Sequence, residues 1–92
     1  MYDNLIEIIN NWDPIELFPS APQDEYELEV LEIIKIINQS KNLKVNVFGN
    51  EIRKIFLNYF GSVFQSNIEE CEEIAKQILD VIDNEEINNT HI

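Results

Sequence analysis

Cationic and metal-ligating side chains are scarce in this chain. Six lysines and arginines stand against eighteen aspartates and glutamates, for a net charge of −12. Proteins that grip phosphate backbones do so with Lys and Arg that displace condensed counterions, so this balance argues against direct nucleic-acid binding. The single Cys71 has no internal disulfide partner, and the single histidine, His91, sits at the end of the sequence. Two glycines are too few for a phosphate-cradling loop. Charges interrupt every apolar stretch well short of the ~20 residues that a membrane span needs. No basic start is followed by an apolar run of the secretory kind, and the expectation is a soluble protein of the cytoplasm.

What is present is an apolar, acidic chain of one-domain length. Ninety-two residues with 45% hydrophobic content exceed what a disordered acidic tail carries, so the chain should fold around one modest core. The charge is unevenly spread. Residues 1–32 hold nine carboxylates and no Lys or Arg. Residues 33–66 hold Lys35, Lys41, Lys44, Arg53 and Lys54 against Glu51, and residues 67–92 hold eight acids against Lys76. Two acidic segments flank a mildly basic one.

Hydrophobic periodicity predicts four helices, and hence an all-α, four-helix-bundle-like single domain over residues 1–84 with a frayed polar tail at 85–92. Asp3 is placed as the N-cap of a first helix carrying Leu5, Ile6, Ile8 and Ile9. Pro14 ends it, and Asp13 is expected to cap a second, short turn with Glu16 closing a capping box. Pro19 and Pro22 should hold "FPSAP" extended. The next helix, Glu25 to Asn38, clusters Tyr26, Val30, Ile33, Ile34 and Ile37 on one face and Glu25, Glu29 and Glu32 on the other. "LKVNVF" alternates like a strand, but Val45, Phe48, Ile52, Ile55, Phe56 and Tyr59 share a helical face, and only a helix explains the run to Phe60. Within that helix Gly49 reads as a weak point, costing ~1 kcal/mol relative to alanine. Gly61 stands where a C-cap glycine belongs. The last helix opens on Ser66 and Glu69 in capping-box spacing and buries Ile68, Cys71, Ile74, Ala75, Ile78, Leu79 and Ile82.

The stretch "NWDPIELFPSAPQDEYELE", residues 11–29, holds all three prolines and the only tryptophan. Trp12 is read as a wedge between the first two helices, with Asp13 and Pro14 setting the bend and Tyr26 packing beneath it. Trp12, Asp13 and Pro14, followed by Asp24, Glu25 and Tyr26 and then by "IRKIFLNYFG" and "CEEIAKQIL", resemble a family of small uncharacterised helical proteins of Gram-positive bacteria. That resemblance implies an all-helical domain and assigns no activity.

Catalytic and metal constellations are not expected. In "EECEE" helical spacing turns Cys71 inward and spreads the glutamates around the outside, and the serines have turn or cap positions. No cofactor is implied, and the reading is non-enzymatic. The leading expectation is a small acidic binding protein, an immunity-type inhibitor or antitoxin that masks a basic protein such as a nuclease toxin. Alternatives are a nucleic-acid mimic that blocks a DNA-binding or defence protein, and a non-catalytic accessory subunit. Partner contact is assigned to Glu25, Glu29 and Glu32 of the second helix, with Phe18 and Ile36 as apolar anchors.

Overall fold

The computed structural model describes residues 1–40 and 42–89, with side chains described through Asn84. Four helices run in order: α1 (Tyr2–Trp12), α2 (Glu27–Gln39), α3 (Val45–Phe60) and α4 (Ile68–Asn89), with one 3-10 turn, Gly61–Val63, between the last two. No strand occurs among the described residues, so "LKVNVF" enters a helix as its longer-range periodicity predicts. α4 runs on past residue 84 to Asn89. The remaining positions of the expected tail, 90–92 with His91, lie outside the described residues.

The helices bury most of the faces that their spacing predicts, but Val45, Tyr59 and Ile68, which lie in terminal turns of α3 and α4, are exposed instead of buried. Leu5 and Ile9 from α1, Val30 and Ile33 from α2, Phe48, Ile52 and Phe56 from α3, and Cys71, Ala75 and Ile78 from α4 are all fully buried. Aromatic rings fill one end of this core. Phe56 stacks on Phe60 and Phe64 at centroid distances of 5.9 and 5.4 Å. Trp12 meets Phe56 and Phe64 edge-on at 5.2 and 5.8 Å. Each such pair contributes about 0.5–1.5 kcal/mol beyond area burial. Trp12 is therefore a wedge, but between α1 and the corner that follows α3 rather than between the first two helices.

Helix ends depart from expectation in instructive ways. Met1, not Asp3, occupies the α1 N-cap, which leaves Asp3 in the first turn, where a carboxylate complements the helix dipole. Asp13 caps no second helix. It is the C-cap of α1, in the left-handed region at φ 45°, with its N–H donating to the Ile9 carbonyl at 2.8 Å. No short helix follows, and Glu16 closes no capping box, having itself a φ of 56°. The "FPSAP" segment is a turn instead of an extended strand, closed by Ala21 N–H on the Leu17 carbonyl at 3.0 Å, with Phe18–Pro19 cis. At α4 the capping box is real but one residue later. Asn67 Oδ1 accepts from the Glu70 N–H at 2.9 Å and Glu70 Oε2 accepts from the Asn67 N–H at 3.4 Å.

Gly49 is buried and is no weak point. A Cβ built there would lie 2.7 Å from Glu72 Cγ, 2.9 Å from Glu72 Cα and 3.0 Å from Glu72 N. Two of those atoms are backbone, so they cannot swing aside. Gly49 lets α3 and α4 approach more closely than any side chain would allow. Gly61, at φ 57°, ends α3 as expected.

Candidate partner-binding surface

The connector between α1 and α2 is organised by one carboxylate. Asp13 Oδ1 accepts the Leu17 N–H at 2.8 Å and the Tyr26 hydroxyl at 2.7 Å, and Oδ2 accepts the Phe18 N–H at 3.1 Å. Ile15 N–H donates in turn to the Tyr26 hydroxyl at 3.4 Å. Burial pushes the Asp13 carboxyl upward, but the hydrogen bonds from Tyr26, Leu17 and Phe18 together hold it below the ordinary aspartate range. Tyr26 is fully buried, and its phenol is driven far above its usual range by burial and by its hydrogen bond to Asp13. Asn10 Nδ2 adds a bond to the Gln23 carbonyl at 2.9 Å. These contacts fix the start of α2 against α1.

That geometry gathers acids from both helices. Partial desolvation and then the fields of Glu27, Asp24 and Asp3 raise the Tyr2 hydroxyl above its ordinary range. Asp3, Glu7, Asp24, Glu25 and Glu27 are all exposed. Among the described residues no lysine or arginine lies within ion-pair distance of them. Lys35 and Lys54 are engaged instead with Glu32 at 3.4 Å and Glu51 at 3.5 Å. Leu28 and Leu31 are 60% and 42% exposed on the outward face of α2. An acidic patch with two apolar points results.

The five residues assigned from sequence do not form one surface. Glu25 is exposed, and Glu32 is partly exposed and paired with Lys35. Phe18 is half-buried and packs edge-on against Tyr26 at 5.8 Å, and Ile36 also packs against the core, so neither is displayed as an anchor. Glu29 is only 2% exposed, and its Oε1 has no hydrogen-bond partner among the described residues. Burial, with a smaller push from Glu25, raises its carboxyl above the ordinary glutamate range. The cause is geometric: Glu29 shares a flank with Ile33 and Ile36 at i+4 and i+7, and α2 packs against both α1 and α3, so its buried arc is wider than a single stripe. Asp3, Asp24, Glu27 and Leu31 take their place. Their proximity depends on how α1 crosses the start of α2, for which the only local signal was the unbroken run of acids before Lys35.

Cys71 is fully buried, and burial pushes its thiol up to about 11. A thiol so held is a poor nucleophile at neutral pH. Among the described residues no three His, Cys, Asp or Glu side chains come together as a metal site.

A family model described as "Domain of unknown function (DUF1871)" matches residues 4–87. The chain belongs to that family. No curated protein and no solved structure matches it.

Proposed function

We propose that this member of a family of unassigned function is a small acidic binding protein that masks a basic partner protein, most concretely as an immunity-type inhibitor of a cationic toxin. One observation carries the reading: the exposed carboxylates of Asp3 in α1, Asp24 in the connector and Glu27 at the start of α2 all act on Tyr2, with no Lys or Arg pairing them among the described residues. Unpaired surface charge of one sign projects a field that draws an oppositely charged protein and raises its encounter rate above the unsteered ~10⁵–10⁶ M⁻¹s⁻¹. Leu28 and Leu31, exposed beside these acids, supply the apolar contact that pure electrostatics lacks.

The test is a paired capture from the native cell with the wild-type protein and with Asp3→Asn/Asp24→Asn/Glu27→Gln as baits. The expected result is a basic protein held by the wild type, released by salt and depleted with the variant. Recovery of the same proteins in equal amount by both baits would contradict the reading.

A further inference from the structure

Two concave surfaces meet at Trp12. The larger, about 670 Å³, lies between the α1–α2 connector and the corner after α3, with Trp12, Ile15, Glu16, Val63 and Glu70 among its walls. The smaller, about 370 Å³, runs between α1 and α4 past Trp12, Glu70 and Glu73. Trp12 and Glu70 line both, so the two cavities adjoin there and are together termed the groove. Both volumes lie within the roughly 300–1,000 Å³ typical of ligand clefts.

The groove has a definite chemical character. Among the described residues no Lys or Arg lines either part of it. Glu16 and Glu73 are exposed and have no hydrogen-bond or ion-pair partner among the described residues, while Glu70 uses Oε2 alone, on the Asn67 N–H. The Trp12 Nε1–H lies beneath the surface with no acceptor among the described residues. Ile15 and the exposed Val63 add apolar wall. Carboxylates around an aromatic ring match a lysine ammonium or an arginine guanidinium, which gains both charge pairing and attraction to the ring face.

We propose that this groove docks an extended segment of the cationic partner, with a Lys or Arg side chain held over Trp12 among Glu16, Glu70 and Glu73. It rests on the cationic-partner reading above and names the place of grip, distinct from the steering patch at Asp3, Asp24 and Glu27.

Trp12 is the only tryptophan, so its emission reports the groove directly. The probe is a capped tetra-arginine peptide titrated at low ionic strength, with a capped Gly-Ser peptide of equal length as the neutral control. The proposal expects a saturable change in Trp12 emission with the arginine peptide alone. Glu16→Gln/Glu70→Gln/Glu73→Gln should weaken that binding about tenfold or more, a change of ~1.4 kcal/mol. Asp3→Asn/Asp24→Asn/Glu27→Gln, which removes the same number of charges, should weaken it about threefold or less. Circular dichroism melts establish that both triple variants fold, and Glu16→Gln/Glu73→Gln, which spares the α4 capping box, serves if the first does not. Equal weakening by both sets, weakening by the patch set alone, an equal response to the neutral peptide, or no response to tetra-arginine would each overturn the groove. The cationic-partner reading is decided separately, by the capture experiment. A basic protein lost from the patch variant but retained by the groove variant leaves that reading standing while the groove fails.

Discussion

The two halves of this small bundle are held together by opposite means. Between α1 and α2 the chain wanders through three prolines, and a single carboxylate, Asp13, ties it down through two backbone N–H groups and the Tyr26 hydroxyl. Between α3 and α4 the missing side chain of Gly49 lets one helix backbone rest against the other at Glu72. The first arrangement spends polar groups inside and leaves unpaired acids outside. The second is mostly apolar contact, and its helices carry Arg53, Lys54 and Lys76. Structure in the first half thus depends on hydrogen bonds, and in the second on shape.

This difference can be broken at single residues, and the largest effect is expected at Asp13. Replacing it with alanine strands the N–H groups of Leu17 and Phe18 and puts a residue with no side-chain acceptor in the left-handed region, so Asp13→Ala should destabilise by about 3–5 kcal/mol in urea unfolding. Tyr26→Phe, which removes one of the three bonds to Asp13 and the long bond from the Ile15 N–H, should cost about 1–2 kcal/mol. If Asp13→Ala costs no more than Tyr26→Phe, the carboxylate does not organise the connector.

Gly49→Ala comes next, and its sign is the informative part. Helix propensity alone predicts a gain of ~1 kcal/mol, whereas the overlap of the new Cβ with the Glu72 backbone predicts a net loss of about 1–2 kcal/mol. A higher melting temperature for Gly49→Ala would show that α3 and α4 do not approach as closely as described.

The smallest effect, and one of opposite direction, is expected at Glu29. Its folded-state pKa is raised, so the folded protein holds this proton to higher pH than the unfolded chain, and stability falls as pH rises from the ordinary glutamate range through the raised value. Asp13 has a lowered pKa and behaves inversely, contributing stability above the ordinary aspartate range that is lost as pH falls through its lowered value. Glu29→Gln should therefore stabilise by about 1 kcal/mol at neutral pH and little in acid. Urea midpoints from pH 4 to 8 check it, and a constant difference between wild type and variant across that range would mean that Glu29 is not held as described.

Much of the architecture was legible in local periodicity. Val30 and Ile33, Phe48, Ile52 and Phe56, and Cys71, Ala75 and Ile78 recur at helical spacing and are fully buried, and the Asp13-Pro14 break does divide α1 from α2. What escaped was set by neighbours distant in sequence. Asp13 followed by proline reads as an N-cap, yet its acceptors serve Tyr26, thirteen residues away. Gly49 reads as a flaw until Glu72 is beside it. Glu29 sits on the polar side of a simple helical wheel, but an α2 covered on two sides buries it. Phe18, assigned as an anchor because prolines bound it, folds back onto Tyr26. The acidic character of the surface was visible in composition, and its true centre, where Asp3 meets Asp24 and Glu27, was not, because that requires the crossing of two helices.

The central claim is that the patch at the starts of α1 and α2, rather than acidity in general, receives the partner. The outward acids of α4 that lie away from the groove, Glu69, Asp80 and Asp83, are the natural control, since they are also exposed but have Lys76 among them. With the captured partner in hand, the association rate should be measured by stopped flow across a range of salt for two charge reversals, Asp3→Lys/Asp24→Lys/Glu27→Lys and Glu69→Lys/Asp80→Lys/Asp83→Lys. Steering is screened beyond ~8 Å at physiological salt, so the account predicts a wild-type rate that falls steeply with salt, about tenfold or greater slowing for the first reversal, and a clearly smaller slowing for the second. Equal slowing by both, or a rate indifferent to salt, would contradict it.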